Sequence, residues 1–187
     1  MTTSEQPTLE TERLILRPFV LSDAGRVQEL AGDKDIAATT LRIPHPYEDG
    51  MAEEWIGTLA GLWREDRAAT FAITLRDDGA LAGAIRLDLE RDHERAELGY
   101  WIGKPFWNRG YATEAVREIL RFAFEDLELH RVQATFLPAN PASGKVLIKA
   151  GLTREGRLRH YVKKWGKFED LELYSLLADE YRARRDR

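Results

Sequence analysis

The residues from Trp101 to Ala115 (Trp-Ile-Gly-Lys-Pro-Phe-Trp-Asn-Arg-Gly-Tyr-Ala-Thr-Glu-Ala) hold the strongest chemical signal in the chain. An apolar segment ends, a tight loop follows, and an amphipathic helix begins. The first N–H groups of a helix have no partner within it, and the aligned peptide dipoles add partial positive charge there. A loop that opens a helix in this way can take an anion such as phosphate. Gly110 lets the backbone approach that anion with no Cβ in between. Arg109 adds a charge if it faces the loop and nothing if it faces solvent. An ordinary strand-to-helix turn would use the same glycine, so Gly110 by itself leaves both readings open. The chain contains no Gly-x-x-x-x-Gly-Lys-Ser/Thr and no Gly-x-Gly-x-x-Gly, so nucleoside-triphosphate and dinucleotide sites lack their signatures.

Other chemistries are excluded by composition. There is no cysteine among the 187 residues, hence no disulfide framework, thiolate metal site or cysteine nucleophile. The histidines are His45, His93, His130 and His160; even His93, with Glu94 and Glu97 close by, lies in a turn and strand segment, so no metal is expected. The formal net charge of −4 gives no reason to expect direct contact with nucleic acid. The basic tail Tyr181–Arg187 reads as a solvated helix end, where cations suit the dipole. No apolar run approaches the roughly 20 residues of a membrane-spanning helix. Met1–Thr8 lacks the basic and apolar regions of a secretion signal. The expectation is a cytoplasmic protein with a loose end over residues 1–8 and a single domain over residues 9–187.

The elements that must position the loop follow from periodicity. Leu14-Ile15-Leu16 reads as a first strand stopped by Pro18, and Ser22 or Asp23 starts a helix to about Ala31. Asp33–Pro46 reads as loop. A helix is expected from Tyr47 to about Glu65, with Met51, Trp55, Leu59 and Leu62 on one face. Thr70–Leu75, Leu81–Leu89 and Ala96–Ile102 read as an antiparallel meander, with a turn at Asp77-Asp78-Gly79. Ala112, Ala115, Val116, Ile119, Leu120 and Ala123 then repeat at helical spacing. Arg131–Leu137 reads as a strand and Ala142–Ala150 as a helix ended by Gly151. Arg154–Leu158 and Leu171–Leu177 read as the last strands. The order gives an α/β (α+β) fold with a mixed sheet rather than a wound parallel one. Trp55, Trp63, Tyr161, Trp165 and Phe168 are expected in the core or at a dimer contact, with some lining an acceptor pocket.

Trp107–Ala112 resembles the pyrophosphate-binding loop of the GNAT acetyltransferase superfamily, Gln/Arg-x-x-Gly-x-Gly/Ala. Gly110 and Ala112 match it; Trp107 stands where the pattern has Gln or Arg. Four further stretches resemble the branch containing the ribosomal-protein N-terminal acetyltransferases: Leu9–Pro18, Glu97–Ile102, Gly110–Ala115 and Asn140–Ser143. The resemblance runs from about Leu9 to Tyr181. It implies a mostly antiparallel, seven-stranded sheet splayed between its fourth and fifth strands, here Ala96–Ile102 and Arg131–Leu137.

The same resemblance implies acetyl-CoA as co-substrate and an amine as acceptor. Pantetheine would pair with the backbone of Tyr100, Trp101 and Ile102. The pyrophosphate would lie on Asn108, Arg109, Gly110, Tyr111, Ala112 and Thr113. Asn140 would bond the pantetheine amides, or simply favour the turn before Pro141. Ser143 would meet the departing sulfur, or only cap its helix. Glu97 is the candidate base, with Asp88 and Glu90 as rivals; alternatively Glu97 is a salt-bridged strand carboxylate. A backbone N–H near Tyr100 or Trp101 would take the thioester oxygen. The expected acceptor is a protein N-terminus, with a small amine as the other reading and a non-catalytic acetyl-CoA-binding module as a third. Asp33–Pro46 and Leu158–Phe168 would shape the acceptor site. The resemblance also allows a homodimer.

Overall fold

The computed structural model describes residues 5–185. Its sheet contains eight strands in the order β1-β2-β3-β4-β5-β6-β8-β7. They are β1 (Leu9–Glu10), β2 (Leu14–Arg17), β3 (Ala68–Leu75), β4 (Leu81–Glu90), β5 (Arg95–Ile102), β6 (Arg131–Phe136), β7 (Thr153–Lys164) and β8 (Lys167–Leu177). The strand beyond the expected seven is the two-residue β1, which folds back on β2 through a turn closed by Thr11 N–H on Leu14 O at 2.9 Å. All pairings are antiparallel except β5 with β6.

Helices cover both faces of the first half of the sheet. Ala24, Val27 and Ala31 of α1 (Ala24–Ala31) and Ala52 and Ile56 of α3 (Met51–Arg64) pack on one face with Ala72 and Leu81. Ala115, Val116 and Ile119 of α4 (Tyr111–Arg121) and Leu147 of α5 (Pro141–Ala150) pack on the other with Phe71, Ile73, Ile85 and Leu87. Covered on both sides, β3 is buried from Ala68 to Thr74, and so reads as a continuous apolar run rather than an alternation. Beyond α4 one π-helical turn, Phe122–Asp126, carries Phe122 and Phe124 into the core. A last helix, α6 (Ala178–Arg185), contains the described part of the basic tail.

Three expectations are corrected. Residues 33–46 are not all loop: α2 spans Lys34–Thr39, started by Asp33, whose side chain accepts the Asp35 N–H at 2.8 Å. The helix expected from Tyr47 begins at Met51, after Gly50 in the left-handed region. The final hairpin is also far longer than Arg154–Leu158 and Leu171–Leu177. Its outer part is charged and exposed, so it carries no apolar alternation to mark it. Trp165 and Gly166, at φ 48° and 82°, form its two-residue turn. Of the aromatics expected in the core or at a dimer contact, Trp63 is buried, and Tyr161, Trp165 and Phe168 lie exposed on this hairpin.

Candidate active site

The site arises from a fault in the sheet. β5 and β6 pair through only three residues each, Arg95, Ala96 and Glu97 against Arg131, Val132 and Gln133. Past Glu97 and Gln133 the strands diverge, and a cavity of about 1310 Å³ opens between them. The other edge of β5 stays paired to β4 without a register shift. Gly103 N–H meets Ala82 O at 2.7 Å, which sets the phase of that ladder. By antiparallel alternation Glu97, Gly99 and Trp101 turn their backbone groups to β4, while Leu98, Tyr100 and Ile102 turn theirs to the gap. An unpaired strand edge inside a cavity suits an extended ligand with amides of its own. One of the gap-facing carbonyls, on Ile102, already accepts the Trp107 indole N–H at 2.6 Å. Trp107 therefore braces the loop against β5, a role no Gln or Arg pattern foreshadows.

The loop after β5 is shaped for an anion. Asn108 and Gly110 sit at φ 60° and 82°, and Gly110 immediately precedes α4. The first helical bond is Glu114 N–H to Gly110 O at 3.1 Å, so Tyr111, Ala112 and Thr113 start the helix without intrahelical partners for their N–H groups. Gly110, Tyr111, Ala112, Thr113 and Asn108 all line the cavity. The Arg109 side chain does not; its guanidinium lies 6.0 Å from the Phe106 ring, and its carbonyl accepts Arg13 Nη1 at 2.9 Å. Arg13 also donates Nε to Glu114 Oε2 at 2.7 Å, and Thr11 Oγ1 donates to Glu114 Oε1 at 2.6 Å. Burial opposes ionisation of Glu114, but these bonds outweigh it and hold its pKa below the usual value. The carboxylate nearest the anion loop is thus neutralised by Arg13.

Ser143 enters from α5. Asn140 caps this helix, its Oδ1 accepting Ser143 N–H at 3.3 Å, and Pro141 takes the first position. The Ser143 hydroxyl is not spent on the cap. It lies 2.9 Å from the Tyr100 hydroxyl, which crosses from β5. Burial pushes the Tyr100 phenol up to about 12, with the bond to Ser143 opposing. Asn140 also donates Nδ2 to Thr39 O at 3.3 Å, joining α5 to the end of α2.

Side chains alternate along β5, so Glu97 projects to the face opposite Tyr100. There it accepts Thr135 Oγ1 of β6 at 3.0 Å and has no ion-pair partner among the described residues. Its rivals are occupied. Asp88 binds Arg86 at 2.6 Å and Arg42 at 2.8 Å. Glu90 binds Arg95 and is absent from the cavity lining. The wall facing Glu97 comes from α3 and the segment before it, including Ile43, Tyr47, Met51 and Trp55. Lys164, from the hairpin tip, donates to Ala37 O and Thr40 O, both at 2.6 Å, and so anchors the end of α2 where this wall begins. Among the described residues no group of His, Asp and Glu could hold a metal, and no helix is long and apolar enough to cross a membrane. Sequence reasoning missed Thr135, Tyr100 as a side-chain partner, Arg13 and the Arg42–Asp88–Arg86 cluster. Arg86 could have been suspected by pairing strands β3 to β5 in register; Arg42, on the segment after α2, leaves no such signal.

A family model for the acetyltransferase (GNAT) domain matches residues 13–153. The chain is 33% identical to the uncharacterized N-acetyltransferase p20 of Bacillus licheniformis over 93% of this chain and 98% of that one. It is 24% identical to the ribosomal protein uS5-alanine N-acetyltransferase of Escherichia coli over 92% of each. Mycobacterium smegmatis RimJ, solved in complex with CoA-disulfide, superposes with a TM-score of 0.85 at 25% identity, covering 96% of this chain and 91% of that one. With three quarters of its length matched by that family model and relatives covered along almost their whole length, the chain belongs to the GNAT family and is an N-acetyltransferase that uses acetyl-CoA.

Proposed function

We propose that the chain acetylates the α-amine of a polypeptide N-terminus, such as that of a ribosomal protein. The observation that carries this reading is the placement of Glu97 and Ser143 on opposite faces of β5 at one gap. An acyl transfer needs the amine to arrive from one side of the thioester and the thiol to leave on the other. The amine nitrogen forms a bond to the carbonyl carbon as the carbon–sulfur bond breaks. Glu97, directly or through water, takes the proton the amine loses; Ser143 donates a hydrogen bond to the thiolate. The Tyr100 N–H faces the gap and is the donor for the thioester oxygen. An α-amine has a pKa of roughly 7.7–8.0 against about 10.4 for lysine, so a single carboxylate suffices to deprotonate it. The acceptor face is open and mixed in charge, unlike the acidic pocket a polyamine would select. The uS5-alanine N-acetyltransferase among the relatives points the same way.

The test is calorimetry with acetyl-CoA, followed by thiol release in the same sample with N-terminal peptides and small amines. Binding with peptide-dependent release supports the reading; binding without release from any amine overturns it. Glu97→Gln is expected to lower kcat by about a hundredfold, as loss of a general base does. Unchanged kcat in Glu97→Gln would remove Glu97 from the chemistry.

A further inference from the structure

Four charged side chains lie together on the acceptor face of the cavity: Arg42, Arg86, Asp88 and Glu97. Asp88 and Glu97 are direct cross-strand partners, so they point the same way with side chains about 5 Å apart. Both oxygens of Asp88 are taken, Oδ1 by Arg86 Nε at 2.6 Å and Oδ2 by Arg42 Nη1 at 2.8 Å. Two guanidiniums thus share one carboxylate. Each carries five N–H donors, and most of the ten are left for another acceptor. The four charges sum to zero, but Asp88 is shared by both guanidiniums, so the second positive charge stands next to Glu97 without an ion pair to it. The two arginines differ. Arg86 is held within the sheet, also reaching Thr70 at 3.4 Å, with its side chain 25% exposed. Arg42 stands on the segment after α2 with its side chain 74% exposed. An exposed ion pair contributes little, so Arg42 can exchange Asp88 for a substrate anion at small cost.

We propose that the acceptor carries a carboxylate close to its reacting amine, and that Arg42 and Arg86 bind it. This rests on the reading of Glu97 as the amine's partner. A planar carboxylate matches the guanidinium fork, whereas the second ammonium of a polyamine or a lysine would be repelled. In a polypeptide the carboxylate is the side chain of an Asp or Glu next to the N-terminal residue. In a free amino acid it is the α-carboxylate.

The experiment compares kcat/KM for peptides that differ only at the second residue, Ala-Glu, Ala-Gln and Ala-Lys, with free alanine and alaninamide alongside. The expected order is Glu over Gln over Lys, with Glu exceeding Lys by about ten- to a hundredfold, the scale of a hydrogen bond between charged groups. Arg42→Glu is expected to invert the order while the acetyl-CoA Kd, read by calorimetry, stays put; the exposure of Arg42 makes misfolding of this variant a minor concern. Free alanine outrunning both alaninamide and all the peptides would keep the carboxylate and replace the polypeptide by an amino acid. Equal rates across the peptides, or an order unchanged in Arg42→Glu, would reduce the cluster to a strap between loop and sheet and overturn the inference alone. No turnover from any α-amine would overturn it together with the proposed function.

Discussion

Tyr100 is a phenol that keeps its proton at neutral pH. Burial holds it near 12, so throughout the neutral range it remains a hydroxyl shared with Ser143. Tyr100→Phe keeps the ring packing and removes only that bond. The expected outcome is a fall in kcat of about tenfold, the size of one buried hydrogen bond. The acetyl-CoA Kd should move little, and the alkaline absorbance titration should lose a phenol that ionises near pH 12. The sign follows from the raised pKa: the contribution is complete below the ordinary tyrosine range and drains away as pH climbs toward 12. A weaker Kd at unchanged kcat would make Tyr100 a binding residue instead. At this scale the sequence was legible where chemistry depends on one residue or one short motif. Gly110 before a helix and Ser143 after Asn140-Pro141 are visible in a line of text. The partners that give them context are not, because they come from afar: Arg13 and Glu114 are 101 residues apart, and Thr135 and Glu97 are 38.

Among the elements, those with strong periodicity and packed faces were readable, and those held by polar bonds were not. α4 shows its helical stripe plainly. α2 is six residues long and depends on the Asp33 cap and on Lys164 for its ends. The outer hairpin survives on ion pairs and backbone bonds, a form of stability that leaves no apolar pattern. Its inner part is stitched to β6 by Glu155, whose carboxylate accepts Arg131 Nη1 and Ser175 Oγ, both at 2.6 Å. Hydrogen bonds from Arg131 and Ser175 hold the Glu155 pKa down at about 2. A carboxylate depressed in this way stabilises the fold fully above its unfolded pKa of about 4.3, and the contribution is lost as pH falls through about 2. Glu155→Gln should therefore lower Tm at pH 7, and the gap from the parent should narrow progressively below about pH 4. Thermal melts across that range measure it; a gap that stays constant into acid would show that the charge of Glu155 does not matter.

At the scale of the whole molecule the sheet is two sheets joined by a short seam. β1 to β5 form one half and β6, β8 and β7 the other; their backbones meet at three residue pairs, and Val132, Ala134 and Leu176 share one apolar core with α4 and β5. Where backbone bonds are few, local opening is easy. A ligand whose amides pair with the free edge of β5 would lengthen that seam. Hydrogen exchange should then show the amides of β6 and β8 opening independently of β3 and β4 in the unliganded chain. Saturation with acetyl-CoA should merge the two exchange classes into one and raise Tm with ligand concentration. The donor would thus act as a missing strand, and the enzyme would reach its full folding cooperativity only when loaded for reaction.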